Sequence, residues 1–196
     1  MEKVFQPKFL DKEILEKRKE KLKEQYTSLE EGVYIQGEIK SFERQDILGI
    51  ISMMTPEDFV VMPEEYALVK YPSTFRPQHI ITNLNLNVNM GFSVFPDNLK
   101  EKDAEGATNR VLEVLYSEGA GLDFSACKKL ENLEGYWFDF RNHAMDQDVY
   151  NMLLIVLIKQ KVLQITFNCN IQEQLDWEPV VTQMWESIEA IREEQN

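Results

Sequence analysis

Three apolar runs rich in β-branched and aromatic residues follow one another between residues 135 and 171. They cover 135–145, 149–158 and 162–171, and the connections between them lie at 145–148 and 159–161. Because a parallel crossover needs about a dozen residues or more, connections this short permit only antiparallel neighbours. The middle run, VYNMLLIVLI, is apolar on both faces, which is typical of a central strand covered on both sides. The segment therefore predicts an antiparallel meander at the centre of a sheet.

The rest of the chain divides into short strand patterns and helical patterns. Strands are expected at 33–42, 47–54 and 127–133 and as a hairpin of 78–82 with 87–95, and helices at 11–27, 63–70, 103–117 and 176–191. Asp176 is expected to cap the last helix, with Pro179 in its first turn, and Gly119 and Gly121 to stop the preceding one. Strands grouped apart from helices are typical of an α+β fold. We therefore predict a single central antiparallel sheet with helices on both faces, an αβα sandwich.

Charge and length suggest one acidic domain with an N-terminal extension. Residues 1–30 are expected to form a charged helical extension, and residues 31–196 the α+β domain. The chain has 21 Lys and Arg against 34 Asp and Glu, a net charge of −13. An acidic body repels phosphate backbones and anionic lipid, so neither nucleic acid nor a membrane is expected as a partner. The N-terminus lacks the apolar core of a signal peptide, so a cytoplasmic location is expected.

The sequence contains none of the familiar motifs of catalysis, phosphate binding or metal binding. Gly-rich phosphate loops, C-x-x-C pairs, H-E-x-x-H and the G-x-S-x-G nucleophile elbow are all absent. We therefore expect no catalytic residue, no cofactor and no metal ion. Cys169 shares a strand face with apolar residues and is expected to be a buried thiol.

Two groups of residues are candidates for binding a protein partner. The first flanks a proline turn, where a rigid scaffold commonly presents function on a loop, and comprises Lys70, Tyr71 and Arg76. The second lies at alternate positions on one strand face, where an aromatic ring beside charged groups suits a partner contact, and comprises Trp137, Asp139, Arg141 and His143. The alternative for the second group is that a helix covers the ring and the polar residues form a solvated rim.

The order of elements from about Ile47 to Ile191 resembles the PsbP-like superfamily. The resemblance rests on Thr55-Pro56-Glu57-Asp58-Phe59 after a strand, the hairpin around Asn83, the helix near Val111, the meander, and a closing helix containing Trp185-Glu186-Ser187-Ile188. The stretch Met62–Pro77 resembles a motif of a bacterial branch of this superfamily. The resemblance implies an antiparallel sheet between helices and a non-enzymatic, protein-binding role. It carries no shared functional residues, and it leaves out the N-terminal 45 residues.

These observations favour a cytoplasmic, non-enzymatic protein-binding or accessory module. One alternative is a hydrolase-type enzyme with a cryptic site around His143, Asp139 and Arg141, with either Ser125 or Ser73 as the serine. Side chains at alternate positions of one strand are poorly placed to orient an imidazole, which weighs against that alternative. Another is a structural homo-oligomer, such as a homodimer, formed through the N-terminal helix.

Overall fold

The computed structural model describes residues 9–95, 103–118, 123–143 and 148–191. Its helices are α1 (Phe9–Gln25), α2 (Glu64–Lys70), α3 (Ala104–Glu118) and α4 (Gln174–Glu186), and a 3-10 turn at Ile171–Glu173 precedes α4. Its strands are β1 (Thr27–Ser28), β2 (Gly32–Ile35), β3 (Glu38–Lys40), β4 (Phe42–Ile47), β5 (Ile51–Pro56), β6 (Val60–Val61), β7 (His79–Thr82), β8 (Asn89–Phe95), β9 (Asp123–Phe124), β10 (Lys128–Lys129), β11 (Gly135–Asn142), β12 (Val149–Ile158), β13 (Lys161–Asn170) and β14 (Glu189–Ala190). The predicted turn at 145–147 and the predicted helix stops at Gly119 and Gly121 lie outside the described residues.

An eight-stranded antiparallel sheet forms the centre of the molecule. Its strand order is β10-β11-β12-β13-β8-β7-β6, and β9 pairs with β11. The predicted meander is confirmed as β11, β12 and β13. Leu154 of β12 lies in register between Trp137 and Ile165, and all three side chains are buried.

Helices cover both faces of this sheet, as predicted. On one face, which we call the α4 face, Trp177, Val181 and Met184 share a buried cluster with Met152 and Leu154. The opposite face, which we call the α3 face, is covered over β11 and β12 by α3 and over β7 by α2. Because β12 is buried from both sides, its side chains are apolar at nearly every position, whereas β13 alternates buried residues with less buried polar ones such as Gln164, Thr166 and Asn168. The α+β class is therefore confirmed.

Two three-stranded sheets accompany the central one, and they were not predicted. Their orders are β1-β2-β3 and β14-β5-β4. The single strand expected over 33–42 is wrong, because the chain turns at Gln36 and Gly37, whose φ angles are 52° and 95°. The strand expected over 47–54 is also wrong, since Leu48 and Gly49, with φ of 54° and 66°, form a second hairpin turn. Glycine adopts left-handed backbone easily, whereas Gln and Leu rarely do. In each turn only the second of the two left-handed residues is therefore a glycine.

The hairpin predicted between residues 78 and 95 is confirmed as β7 and β8. Asn83 organises its turn, because its side-chain Oδ1 accepts hydrogen bonds from the N–H groups of Asn87 at 3.1 Å and Val88 at 3.2 Å. Leu86 takes the left-handed conformation, with φ of 59°. The side chain of Asn83 thus provides a hydrogen-bond acceptor for two backbone N–H groups of the turn.

The cap predicted for the last helix is wrong. Asn170 caps the 3-10 turn, its Oδ1 accepting from the N–H of Gln172 at 3.2 Å, and α4 follows from Gln174. Asp176 lies inside the first turn of α4, where a carboxylate still favours the positive end of the helix dipole. There it pairs with Lys23 of α1, whose Nζ lies 3.2 Å from its Oδ1. The strand expected over 127–133 shortens to the two residues of β10.

The N-terminal helix is attached to the domain by few contacts. Ile14 is 58% exposed and Leu15 is 47% exposed, so most of α1 lies against solvent. The chain joins the core before the expected boundary at residue 30, because β1 pairs with β2 and Leu29 is buried in the main cluster. Over the ranges that the structure describes, no helix is long and apolar enough to cross a bilayer.

Ile188 tests how far the core extends beyond the end of α4. Its side chain is 3% exposed, within the main cluster. An unpaired charge there is costly, so Ile188→Asp is expected to lower the free energy of unfolding by about 3 kcal/mol or more. Leu175→Asp is the matched control, since Leu175 is 85% exposed, and is expected to change it by less than about 0.5 kcal/mol. Urea unfolding of both variants is the measurement, and equal stabilities would place Ile188 outside the core.

Candidate partner-binding site

Several exposed apolar side chains are carried by the elements at the β6 edge of the central sheet. Phe75 is 93% exposed and Val69 is 82% exposed, which is unusual for residues of this size. We call the whole set the α2 surface, and it consists of Val60, Val61, Tyr66, Leu68, Val69, Phe75 and Leu84. It combines β6, α2, the loop that follows α2, and the turn of the β7–β8 hairpin.

A small core of its own fixes the α2 surface to the sheet. Met62, Ala67 and Ile80 are buried together, with Tyr71 and Leu86 packed against them. Helix α2 has only seven residues, too few for a helix to be stable alone. The two Val residues of β6 pair with β7 in register, and the N–H of Met62 donates to the carbonyl of Ile80 at 2.8 Å. The exposed side chains therefore sit on a fixed backbone.

Two of the three predicted loop residues, Lys70 and Tyr71, hold the loop after α2 in place through side-chain hydrogen bonds. The Nζ of Lys70 donates to the carbonyl oxygen of Leu86, which ties the end of α2 to the hairpin turn. Burial lowers the pKa of the Lys70 ammonium group. The hydroxyl of Tyr71 accepts from Nδ2 of Asn168 at 2.9 Å. Burial raises the pKa of Tyr71, and the hydrogen bond from Asn168 opposes that rise.

Arg76, the third loop residue, is half-buried. Its N–H donates to the carbonyl of Ser73 at 3.2 Å, and the hydroxyl of Ser73 accepts from the N–H of Phe75 at 3.1 Å. These bonds hold a tight turn that presents Phe75 to solvent. Phe75 was not among the predicted site residues, although it stands between the two that flank this turn.

A chain of buried amides connects Tyr71 to the centre of the sheet. Oγ1 of Thr82 donates to Oδ1 of Asn89 at 2.8 Å, and Nδ2 of Asn89 donates to Oδ1 of Asn168 at 2.8 Å. Asn168 then donates to Tyr71, which completes the chain. Thr82 and Asn89 are fully buried, so these bonds are made where water cannot replace them. The only sequence signal for this chain is the run of alternate asparagines from residue 83 to residue 89.

Gly91 permits the loop after α2 to approach the α3 face closely. A Cβ atom at this position would lie 2.5 Å from Cγ of Pro77 and 2.8 Å from Oγ1 of Thr166. Gln78 adds two hydrogen bonds to the same strand, its N–H donating to the carbonyl of Phe92 at 2.9 Å and its Nε2 to that of Val94 at 3.1 Å. The end of the loop is therefore seated directly on β8.

The residues of the second predicted group differ in burial, because Trp137 is buried whereas Asp139, Arg141 and His143 are not. Trp137 is 6% exposed and lies beneath α4, with its ring centroid 5.7 Å from that of Trp185 in an edge-to-face arrangement. The covered alternative therefore holds for Trp137, and it is corrected from a surface contact to a core residue. Lys128 lies over the ring of Trp137, with Nζ 4.2 Å from the ring centroid, a distance suited to a cation–π interaction.

The three polar members of that group each have a partner within the protein. Oδ2 of Asp139 lies 3.8 Å from Nζ of Lys128. Nη2 of Arg141 donates to Oε1 of Gln174 at 3.2 Å. Nδ1 of His143 lies 2.9 Å from Oδ1 of Asp148. These contacts form a polar rim between β11 and the start of α4, next to the buried Trp137.

The arrangement around His143 does not resemble a serine hydrolase site within the described residues. His143 contacts Asp148 rather than Asp139. The hydroxyl of Ser125 accepts from the N–H of Asp139 at 3.0 Å, so it is engaged with the backbone. Ser73 belongs to the turn below Phe75, on the α2 surface. Among the residues that the structure describes, no group of three or more His, Cys, Asp and Glu could hold a metal ion.

Tyr150 places a phenol in the core behind this polar rim. Its hydroxyl is buried and makes no hydrogen bond to the described part of the chain. Burial raises the pKa of Tyr150, and the nearby carboxylates of Asp139 and Glu178 raise it further by repelling the phenolate. Cys169, its register partner on β13, is buried as predicted, and burial likewise raises the pKa of its thiol.

The fold is shared with proteins of known structure. No family model matches the chain, and no curated protein matches it in sequence. The solution structure of PsbP from the cyanobacterium Synechocystis sp. PCC 6803 superposes with a TM-score of 0.55 at 11% identity, over 81% of this chain and 98% of that one. The Ran-binding protein Mog1p of Saccharomyces cerevisiae gives a TM-score of 0.54 at 11% identity, over 78% of this chain and 96% of that one. The chain therefore has the α+β fold of PsbP and Mog1p, which confirms the resemblance at the level of the fold.

Gly91→Ala tests whether the loop after α2 depends on its close approach to β8. The added methyl group would collide with Pro77, so we expect a loss of about 1–3 kcal/mol in the free energy of unfolding. Ser93→Ala on the same strand is the control, and it is expected to stay within about 0.5 kcal/mol of the wild type. Chemical denaturation measures both. Wild-type stability in Gly91→Ala would show that the loop can shift freely.

Tyr150→Phe tests the unpaired phenol through the pH dependence of stability. A phenol whose pKa is raised on folding stabilises the protein fully below the unfolded-state pKa of about 10 and loses that contribution as pH rises above it. In the wild type this residue should contribute a fall of up to about 1.4 kcal/mol per pH unit above pH 10, which Tyr150→Phe should remove.

At neutral pH the same variant should stay within about 1 kcal/mol of the wild type, because the hydroxyl has no well-formed hydrogen bond and interacts only weakly with Glu178. Tyr66→Phe is the control, since Tyr66 is 48% exposed. Denaturation at a series of pH values distinguishes them, and identical alkaline profiles for all three proteins would contradict the buried phenol.

Proposed function

We propose that this chain is a cytoplasmic, non-enzymatic protein-binding or accessory module whose partner contacts the α2 surface. The observation that carries the proposal is the cluster of large apolar side chains held in water by a fixed backbone. Exposed apolar patches on soluble proteins commonly mark interaction sites. Aromatic anchors such as Phe75 and Tyr66 are also the residue types that dominate binding energies at interfaces.

The internal support of the α2 surface favours binding over an accidental exposure of apolar groups. Lys70, Tyr71 and the buried amides fix the loop before any partner arrives. A surface ordered in advance loses less conformational entropy on binding, so more of the contact energy contributes to affinity.

The charges around the α2 surface indicate the chemistry of the partner. Glu64 and Glu65 lie in the first turn of α2, and Glu57 and Asp58 precede β6. Asp58 is already paired with Lys40, with Nζ and Oδ2 2.6 Å apart. A partner with an apolar contact region and basic residues at its margin would complement this surface.

The structural relatives are compatible with this proposal. Mog1p is a Ran-binding protein, so the same fold serves protein recognition in another organism. The similarity between Mog1p and this chain is a similarity of fold, and it does not identify the partner of this chain. The hydrolase alternative near His143 is less well supported, because the histidine, Asp139 and Ser125 are engaged with other groups.

Charge substitutions on the α2 surface test the proposal. Val69→Asp and Phe75→Asp, made singly, should reduce capture of a specific protein from a lysate of the native host by about tenfold or more, since each truncates an anchor. Val114→Asp is the matched control, because Val114 is 54% exposed on α3, and it should retain capture. Quantitative mass spectrometry of the bound fraction is the measurement. Equal capture by all four proteins would place the contact elsewhere.

The same experiment separates binding through the N-terminal helix. Leu29 and β1 belong to the core, so substituting the exposed Ile14 and Leu15 is a cleaner test than removing residues 1–30. Ile14→Lys combined with Leu15→Lys should leave capture unchanged. Loss of capture, or a change in mass by light scattering, would instead support a docking arm or a homo-oligomer formed by α1.

A further inference from the structure

An open apolar groove lies beside α3, on the opposite side of that helix from the strand β9. Its volume is about 350 Å³. Seven of its eight lining residues are apolar, and they are Phe95, Ala107, Val111, Val114, Leu115, Ile155 and Val162. The eighth is Arg110. The groove is separate from the α2 surface, with which it shares no residue.

The packing of α3 explains why the groove exists. The helix covers β11 and β12, where Ala107 packs with Phe138 and Ile155. Val162 and Phe95 continue the same face onto β13 and β8, where they are register partners. Ile155 and Val162 form a buried floor, whereas Val114 forms an exposed rim. The sheet face is thus wider than the helix that covers it.

The charge at the groove is opposite to that of the protein as a whole. The chain has a net charge of −13, yet the charged residue among those lining the groove is an arginine. A guanidinium has five N–H donors in a planar fork that matches a carboxylate, enough to serve a ligand beside a contact within the protein. Arg110 and Val114 are four residues apart on α3, so the guanidinium lies one helical turn from the apolar rim.

We propose that this groove binds a medium-chain aliphatic carboxylate, with its carboxylate on Arg110 and its chain along Val111, Val114 and Val162. An apolar cleft with one charged group is the usual composition of a small-molecule site, and its volume falls within the usual range of about 300–1,000 Å³. One water-sized group occupies about 30 Å³, so the groove accommodates on the order of ten methylene-sized groups. Decanoate has a chain of this length and a carboxylate that complements the guanidinium of Arg110.

Isothermal titration of the full chain with decanoate, below its micelle concentration, tests the proposal. Saturable one-to-one binding is expected, with decan-1-ol binding about tenfold more weakly because it lacks the charge-assisted hydrogen bonds. Going from octanoate to decanoate should tighten binding by at most about fourfold per methylene, the limit for full burial. Absence of saturable binding, or equal affinity for the alcohol and the acid, would overturn the proposal.

Two variants locate the ligand in the groove. Arg110→Gln should weaken decanoate binding by about tenfold or more while leaving decan-1-ol binding unchanged. Val114→Gln should weaken binding of both, because it makes the rim polar. Arg18→Gln on the exposed part of α1 is the matched control for charge, and Leu175→Gln, at a residue that is 85% exposed and outside both sites, is the control for an exposed apolar side chain.

Neither control should change the affinity for decanoate. Backbone amide NMR shifts on adding decanoate should change around Val111 and Val162 and not around Val69. Unchanged affinity in both groove variants, or shifts concentrated on the α2 surface, would show that the acid binds elsewhere and would overturn the proposal. Because the two surfaces share no residue, failure here leaves the protein-binding proposal standing.

Discussion

Burial of β12 from both sides is the constraint on which the rest of the structure depends. The pairing of Leu154 with Trp137 and Ile165 runs through the middle of the molecule, and each of these side chains is almost fully buried. A strand that is apolar on both faces needs a covering element on each face, and here α3 covers one face and α4 covers the other. Both candidate sites, the α2 surface and the groove beside α3, lie at the margins of these layers.

The two faces of the sheet are covered differently. On the α4 face, Trp177, Trp185 and Met184 fill the layer together with the small β14-β5-β4 sheet. On the α3 face, the cover is divided between α3 and the short α2 with its following loop. Division of the cover leaves both an exposed apolar surface and an apolar groove. The candidate sites therefore follow from how the second layer is assembled.

Local sequence patterns predicted the elements of the fold well where the hydrophobic periodicity was regular and the loops between neighbouring elements were short. The meander, the β7–β8 hairpin, α2 and α3 all follow from periodicity and turn residues. The turns at Gln36 and Leu48 were missed because neither residue is an ordinary choice for left-handed backbone. The cap of the last helix was misplaced because Asp176 is a good capping residue, yet the helix begins at Gln174, directly after a 3-10 turn that Asn170 caps.

The loop with Lys70, Tyr71 and Arg76 stays a predicted site, and the sequence did not indicate how its side chains are oriented. The side chain of Lys70 is bonded to the hairpin turn, that of Tyr71 is bonded to Asn168 of the sheet, and Phe75 faces solvent. The alternation of β11 placed Trp137 on one face with Asp139, but Trp185, which covers it, lies 48 residues away along the chain. Contacts of such separation leave no trace in a local pattern.

The pairing of β13 with β8 has a consequence for how the chain folds. Strands β11, β12 and β13 are consecutive, so they can pair through short loops, whereas Leu163 pairs with Val94, 69 residues earlier. Closing that distance costs chain entropy before any contact stabilises it, and such non-local pairing slows folding. The register therefore implies an order of events, in which the meander forms first and presents the open edge of β13 as a template. We expect the β7–β8 hairpin to dock on that edge late, and α2 and the loop that carries Phe75 to form after it.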